Sequence, residues 1–244
     1  MGKKNYQPTA SMLVIGNEIL SGRTQDTNSN FLAQALTEKG INLSEIRIVP
    51  DTKKHIISAV NELRHKFDYV FTSGGIGPTH DDITADSIAE AFSVELKIRD
   101  DARKLIASNY QNGEKDLNSA RLRMARIPEG ALLIENRISK APGFYLSNVF
   151  VMAGVPSIFQ VMVEWLLPHL SHGNPMLSLT LRVDRPEGEI AETLEGIAEN
   201  FEEVSIGSYP FSEKGSLGTN IVVRHYDTSI LSRVKAEILA SIHK

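Results

Sequence analysis

The sequence predicts an α/β protein with a three-layer, mostly parallel sheet over residues 8–172, followed by a small α+β domain of order β-α-β-β-α over residues 176–244. Short apolar segments alternate with amphipathic segments about a dozen residues long, a rhythm typical of βαβ units. A glycine-rich turn follows one predicted strand, as in sheets that bind ligands at their carboxyl edge. The polar stretch SHGNP at residues 171–175 is the best linker candidate.

The first half of the chain alternates regularly between strands and helices. Continuous apolar runs predict strands, and apolar residues three or four positions apart predict helices. The predicted strands span residues 10–15, 46–49 and 69–72, and the predicted helices span residues 27–39, 55–66 and 84–92. We expect Gly40 to end the first helix and Thr84 to cap the third.

The second half is less regular. We expect a helical region over residues 100–125 with a break near residues 112–113, strands at 132–134 and 148–152, and a helix at 156–170. Beyond the linker, the predicted strands span residues 177–183, 204–208 and 219–225, and the predicted helices span residues 189–200 and 229–242.

Composition narrows the classes of function. The 244 residues carry a formal net charge of −4, so nucleic acid is not an expected partner. The absence of cysteine excludes disulfides, thiolate nucleophiles and cysteine metal sites. The apolar runs are too short to span a membrane and no signal peptide is evident, so we expect a cytoplasmic protein without a membrane partner.

The stretch FTSGGIGPTHDDITAD, residues 71–86, is the strongest candidate site. Gly74, Gly75 and Gly77 allow a ligand to approach the backbone, whose amides can bind a phosphate. The spacing matches neither the dinucleotide fingerprint nor the Walker loop. A tight turn between a strand and a helix is the structural alternative.

Two carboxylates follow this loop, at Asp81 and Asp82. Beside a phosphate they would be repulsive without a cation between them, which predicts a divalent metal such as Mg²⁺ or Co²⁺. K⁺ is a further candidate. The alternative is a favourable charge at a helix N-terminus, which explains Asp86 better than the aspartates at 81 and 82.

A second polar cluster, GNEILSGRTQDTNS at residues 16–29, also follows a strand and is expected at the same edge of the sheet. Asp51 follows the next strand, so three strand ends each bring a carboxylate to one crevice. The side chains of the cluster suited to bind a ribose or a base edge are Asn17, Glu18, Ser21, Asp26 and Asn28.

Five stretches carry a family resemblance: GNEILSGRTQDTNSNFLAQAL, RIVPDTKKHI, TSGGIGPTHDDITADSIAEAF, RIPEGALLIENRISKAPGF and AGVPSIFQVMVE. They resemble the molybdopterin-binding domain family, most closely the N-terminal domain of competence/damage-inducible protein A (CinA) and the matching domain of some FAD synthases. The resemblance covers about residues 8–170, and residues 177–242 resemble the small domain that follows in CinA. The C-terminal amidase domain of full CinA has no counterpart before residue 244.

The resemblance implies a molybdopterin-binding-like fold in which Asp51 and Asp82 are functional carboxylates and the glycine loop holds a phosphate. CinA-type domains are associated with metal-dependent hydrolysis of ADP-ribose-like pyrophosphates, and the FAD synthase version with FAD hydrolysis. A metal on Asp81 or Asp82 would activate water. Further ligand-binding positions in the matching loops are Pro78, Thr79, Pro142, Gly143, Gly154 and Pro156.

One loop departs from the family pattern N-x-x-G-T-A-P-G, because Ser139 and Lys140 replace its Gly-Thr pair. Lys140, like Arg121 or Arg123, could neutralise charge in the transition state. Two rival functions stay open: a molybdopterin-binding or adenylyl-transferring protein of cofactor biosynthesis, and a non-catalytic binding module. Either way the expected ligand is a small nucleotide or pterin, and a homo-oligomer is expected.

Overall fold

A computed structural model describes residues 7–213 and 215–242. The chain divides into two compact units, Met1–Gly173 and Asn174–Lys244. The boundaries expected from the sequence, residues 172 and 176, lie beside this division.

The described part of the first unit is built on a six-stranded sheet. Its strands are β1 (Thr9–Ile15), β2 (Asn42–Val49), β3 (Tyr69–Ser73), β4 (Leu96–Ile98), β5 (Arg126–Pro128), β6 (Leu132–Ile134), β7 (Gly143–Leu146) and β8 (Val149–Met152). The sheet order is β2-β1-β3-β8-β7-β6, while β4 and β5 pair separately. Strands β2, β1, β3 and β8 are parallel, and β7 is antiparallel to both of its neighbours. The predicted mostly parallel sheet is confirmed.

Helices cover both faces of this sheet. They are α1 (Asn17–Leu20), α2 (Asn28–Glu38), α3 (Lys53–Lys66), α4 (Thr84–Ala91), α5 (Asp100–Ala107), α6 (Ser119–Arg123) and α7 (Pro156–Leu166), with 3₁₀ turns at Gly113–Asp116 and Leu167–His169. Helices α2 and α7 pack with one face of the sheet, and α3 and α4 with the other. The result is the three-layer arrangement that the sequence predicts.

Strand β1 shows why its sequence reads as a continuous apolar run. Met12 and Val14 point to the core beneath α2 and α7, whereas Leu13 and Ile15 point to the core beneath α3 and α4. All four side chains are at most 4% exposed. A parallel strand buried on both faces carries apolar residues at every position instead of alternating with polar ones.

Several elements differ from the sequence prediction. Strand β2 begins at Asn42 instead of residue 46, because an edge strand keeps polar side chains that mask its start. Strands β4, β5 and β7, each of three or four residues, were not predicted. The break expected near residues 112–113 is wider than predicted: Gly113 has φ 60, and Asn118 caps a new helix by accepting from the Arg121 amide.

The second unit has the predicted order β-α-β-β-α. Its elements are β9 (Leu177–Val183), α8 (Glu187–Asn200), β10 (Ser205–Glu213), β11 (Ser216–His225) and α9 (Thr228–Ile242). The antiparallel sheet has the order β10-β11-β9, and both helices pack on one face around Ile221 and Val223. Strand β10 continues through Pro210 because it lies at the sheet edge, where a missing amide is tolerated. Among the described residues, no helix is both long and apolar enough to cross a membrane.

Candidate functional site

A cavity of about 620 Å³ opens where β1, β2, β3 and β8 end. This is the carboxyl edge of the parallel strands, where open α/β sheets bind ligands. The loops after these strands form its walls together with residues 136–142. The predicted site residues that line it are Glu18, Asp51, Gly74, Gly75, Gly77, Pro78, Asp81, Asp82, Pro142, Gly154 and Pro156.

The glycine loop is fixed by Thr84. The Thr84 hydroxyl donates to the Gly74 carbonyl at 3.0 Å, and the Thr84 amide donates to the Gly75 carbonyl at 3.0 Å. A Cβ on Gly75 would lie 2.1 Å from Thr84 Oγ1, so the loop and α4 touch without room for a side chain. The expectation that Thr84 caps α4 is wrong: Ile83 occupies the N-cap, and Thr84 serves the loop instead.

The loop presents unpaired amides. Its carbonyls at Gly74 and Gly75 are taken by Thr84, whereas the backbone N–H groups of Gly75, Ile76 and Gly77 have no acceptor within the described chain. All three residues line the cavity. Successive unpaired amides in a turn form a concave site for an anion. The loop is therefore suited to hold phosphate oxygens.

Two aspartates of the cavity are held by the backbone. Asp82 Oδ2 accepts from the Thr79 amide at 2.8 Å and from the Thr79 hydroxyl at 2.6 Å. Asp51 Oδ2 accepts from the Asn17 amide at 2.7 Å. These bonds orient each carboxylate through one oxygen, and the second oxygen has no donor within the described residues. It can accept from a ligand or coordinate a cation.

Asp81 is more exposed than its neighbour. The Thr79 hydroxyl, whose one proton Asp81 shares with Asp82, lowers the pKa of Asp81, and its own backbone amide and the charges of His80 and Arg123 lower that pKa further. Asp81 therefore stays ionised to a lower pH than an ordinary aspartate, so its carboxylate is available throughout the neutral range.

The two arginines considered as charge neutralisers are engaged within the protein. Arg121 stacks over the Tyr110 ring, 3.9 Å from its centroid. Arg123 Nη2 donates to the backbone carbonyl of Asp82 at 2.8 Å. It also lies 3.8 Å from Asp86, which Arg126 binds at 2.7 Å. Arg123 thus holds the backbone that carries the Asp82 carboxylate, rather than facing the cavity.

The loop that departs from the family pattern is organised by Asn136, which is 4% exposed. Its side chain accepts from the amides of Ile138 and Ser139 and donates to the Ser139 hydroxyl and the Ala141 carbonyl. Lys140 has φ 59, and its amide donates to the Asn136 carbonyl. Its neighbours Ser139 and Ala141 line the cavity, whereas Lys140 itself is half-buried and does not line it.

Other predicted site residues lie off the main cavity. Ser21 is exposed and donates to the Glu18 carbonyl. Asp26 accepts from the Ser29 amide and, with Asn28, lines a smaller adjoining pocket. Gly143 lies in β7, where a Cβ would be 2.5 Å from the Val151 carbonyl oxygen, so it permits close strand packing instead of ligand contact.

Sequence reasoning missed an apolar wall. The cavity residues that were not predicted include Ile76, Met124, Val155, Ile158 and Met162, together with the polar Thr24, Asn136 and Ser139. Thr24, Ile76, Asn136 and Ser139 carried a usable signal, since each lies in a loop that the sequence singles out. The other apolar residues read as core because nothing in a single sequence separates a core side chain from one that lines a pocket.

The charged side chains that line the cavity are all acidic. Glu18, Asp51, Asp81 and Asp82 line it, and no described lysine or arginine does. Within residues 7–213 and 215–242, no three His, Asp or Glu side chains lie close enough to hold a metal ion alone. Mg²⁺ is commonly bound by one or two carboxylates plus substrate phosphates, so this donor set suits a cation completed by the ligand.

Two family models match this chain, and together they cover most of it. Residues 11–172 match the family described as probable molybdopterin binding domain, and residues 175–244 match the FAD synthase middle domain. Protein PH0439 of Pyrococcus horikoshii is 33% identical over 238 residues, which cover 92% of each chain. The probable FAD synthase of Caenorhabditis briggsae is 31% identical over 252 residues, which cover 93% of this chain and 48% of that protein. The chain therefore spans about half the length of that relative.

Among solved structures, CinA of Thermoplasma acidophilum, described as a protein with unknown function, superposes with a TM-score of 0.62 at 34% identity. The match covers 68% of this chain and 99% of that one. The resemblance read from the sequence is confirmed: the chain belongs to the molybdopterin-binding domain family, in its CinA-like form, with a region matching the FAD synthase middle domain after it.

Proposed function

We propose that this protein hydrolyses the pyrophosphate of ADP-ribose or a related dinucleotide in a reaction that depends on a divalent metal. The observation that carries the proposal is the meeting of three unpaired amides, at Gly75, Ile76 and Gly77, with oriented carboxylates in one cavity. The amides suit phosphate oxygens, and the carboxylates suit a hard cation. The probable FAD synthase among the relatives supports a dinucleotide as the class of substrate.

The chain's own groups have distinct roles in this proposal. The glycine loop binds one phosphate and orients the bond to be cleaved. Asp82, fixed by Thr79, and the adjacent Asp81 would hold the metal, which would polarise a phosphoryl oxygen and activate a water. Asp51, fixed by the Asn17 amide, follows β2 at the same edge of the sheet and would serve as the proton acceptor of the site. Ile158 and Met162 exclude water from the apolar wall.

A pterin ligand is the second candidate. The family match and the apolar wall of Val155, Ile158 and Met162 favour a flat ring beside the phosphate cradle, as in a molybdopterin-binding or adenylyl-transferring protein. In the third candidate, a non-catalytic binding module, the same cradle would bind a ligand without cleaving it.

The decisive test is AMP release. Purified protein is incubated with ADP-ribose and with FAD, separately with Mg²⁺, Co²⁺ or K⁺, and in a parallel arm with EDTA. Because four carboxylates and no basic side chain line the cavity, we expect AMP only with a divalent cation. AMP release that persists in EDTA would contradict the metal role, and no AMP in any arm would favour the pterin or binding-module candidates.

Lys140→Ala is expected to lower kcat/KM for AMP release by about 10- to 100-fold, the range of a lost hydrogen bond to a charged group. Lys140 lies between Ser139 and Ala141, which line the acidic cavity, and the prediction is that its amino group reaches a bound phosphate. Lys104→Ala, which removes an exposed lysine from α5, is the matched control. Equal rates in both variants, with unchanged circular dichroism, would remove Lys140 from the site.

A further inference from the structure

Asn28 connects three separate segments beside the cavity. It is the first residue of α2 and is only 6% exposed. Its side-chain Nδ2 donates to the Ser73 hydroxyl at 2.8 Å and to the Gly154 carbonyl at 2.8 Å. Ser73 ends β3 directly before the glycine loop, and Gly154 follows β8 and lines the cavity. One amide group therefore binds to both sides of the phosphate cradle.

Gly154 is also in direct contact with the glycine loop. A Cβ on Gly154 would lie 3.3 Å from Gly74 Cα. The pairing of β3 with β8 continues into this region, since the Gly74 amide donates to the Met152 carbonyl at 3.1 Å. Beyond that point the ladder ends, and the Gly154 carbonyl is held by Asn28 from a different element. The position of Gly154 relative to Gly74 thus depends on this side chain.

This arrangement is unfavourable for the oxygen atom of the Asn28 side-chain amide. Asn28 Oδ1 is buried and has no hydrogen-bond partner among the residues that the structure describes. An unpaired buried acceptor is unfavourable, and such exceptions in a native fold call for an explanation. The explanation that fits the contacts is that the residue places its two N–H groups, even though its oxygen is left unpaired.

We propose that Asn28 is a positioning residue that sets the separation of the Gly154 loop from the glycine loop, and so the width of the phosphate cradle. Its side chain is not free to bind a ribose or a base edge, as expected from the sequence, because both N–H groups are used within the protein and its oxygen is buried. Its effect on ligands is indirect, through cradle geometry, where displacements of about 1 Å reduce rates strongly. The kinetic part of this inference rests on the proposed function; the structural part does not.

Three variants separate the two hydrogen bonds. Asn28→Asp keeps the shape of the side chain but sets an oxygen against the Gly154 carbonyl, while the Ser73 hydroxyl can still donate to the new carboxylate. Ser73→Ala removes the other bond, together with the long 3.5 Å bond from the Ser73 hydroxyl to the Ala153 carbonyl, and leaves Asn28 bonded to Gly154. Asn28→Ala removes both bonds without burying a charge, and replaces the aspartate variant if that protein does not fold.

The experiment has two readouts on full-length protein. Hydrogen exchange is measured on ligand-free protein over residues 150–158, and Mg²⁺-pyrophosphate binding is measured by titration calorimetry. We expect the Asn28 variants to raise exchange in that segment about fivefold or more and to weaken binding about tenfold or more. Ser73→Ala is expected to change each by less than about threefold.

Two results would overturn the inference. One is an exchange rate over residues 150–158 that is the same in both Asn28 variants as in the wild-type protein. The other is an equal effect of Ser73→Ala and the Asn28 variants, accompanied by a general rise in exchange over α5, which would indicate loss of packing. AMP release is assayed separately. If the wild-type protein cleaves no substrate, the proposed function is wrong, but the exchange data still decide the role of Asn28.

Discussion

Asp82→Asn is expected to lower kcat/KM for AMP release by about 10²- to 10³-fold while the protein keeps its fold. The asparagine oxygen can still accept from the Thr79 amide and hydroxyl, which now bind Asp82 Oδ2 at 2.8 and 2.6 Å. The loop should therefore keep its conformation. What is lost is the negative charge that holds a divalent cation, and a neutral amide is a poor ligand for a hard cation. The measurement is steady-state AMP release across a range of Mg²⁺ concentrations.

Measuring the rate of AMP release at several Mg²⁺ concentrations tests whether Asp82 itself holds the metal. If Asp82 holds the metal, part of the lost activity should return as Mg²⁺ is raised, because weaker binding is offset by mass action. Asp100→Asn is the control, since it removes the same charge from an exposed position at the start of α5, where Asp100 pairs with Arg103. A rate equal to wild type in Asp82→Asn would exclude Asp82 from the reaction and favour a binding module.

Fold class was predictable because the sheet core imposes its pattern on the sequence. β1 is buried on both faces, so the run Met12 to Ile15 is apolar at every position, and helix α3 shows spacing that matches its one buried face. Strand β7 was not predicted because it has only four residues and begins with Gly143, whose role is to let β8 approach. Packing against a neighbour, which a single sequence does not display, decides that such a segment is a strand.

The candidate site was predictable to a different degree. The glycine loop and the aspartates are chemically distinctive and follow strands, so their common edge could be inferred from parallel topology. The role of Thr84 could not, because it depends on a contact with the Gly74 carbonyl ten residues earlier. Asn28 was chosen as a ligand contact for its residue type, yet both of its donors are used by Ser73 and Gly154. Residue type indicates what a side chain can bind, and only the fold shows which partner it has.

Gly74→Ala is expected to destabilise the protein by about 3–5 kcal/mol, from backbone strain together with a steric clash. Gly74 has φ 109, where a side chain is strained, and a Cβ there would lie 2.2 Å from the Ile15 carbonyl oxygen. That oxygen belongs to the backbone of the central strand β1, which cannot move without disturbing the sheet. Thermal unfolding followed by circular dichroism should show a fall in Tm of roughly 10 °C.

Two further glycine variants separate the causes. Gly22 has φ 71 with no atom within 4 Å of a built Cβ, so Gly22→Ala should show backbone strain alone, about 1 kcal/mol. Gly75 has φ 69, so Gly75→Ala adds similar backbone strain, and its main clash is with the Thr84 hydroxyl, which a rotation of that side chain can relieve at the cost of its bond to Gly74. This variant should fold but lose pyrophosphate binding. If it bound pyrophosphate as tightly as wild type, the conformation of the loop would matter only for folding, and the unpaired amides would not be a phosphate cradle.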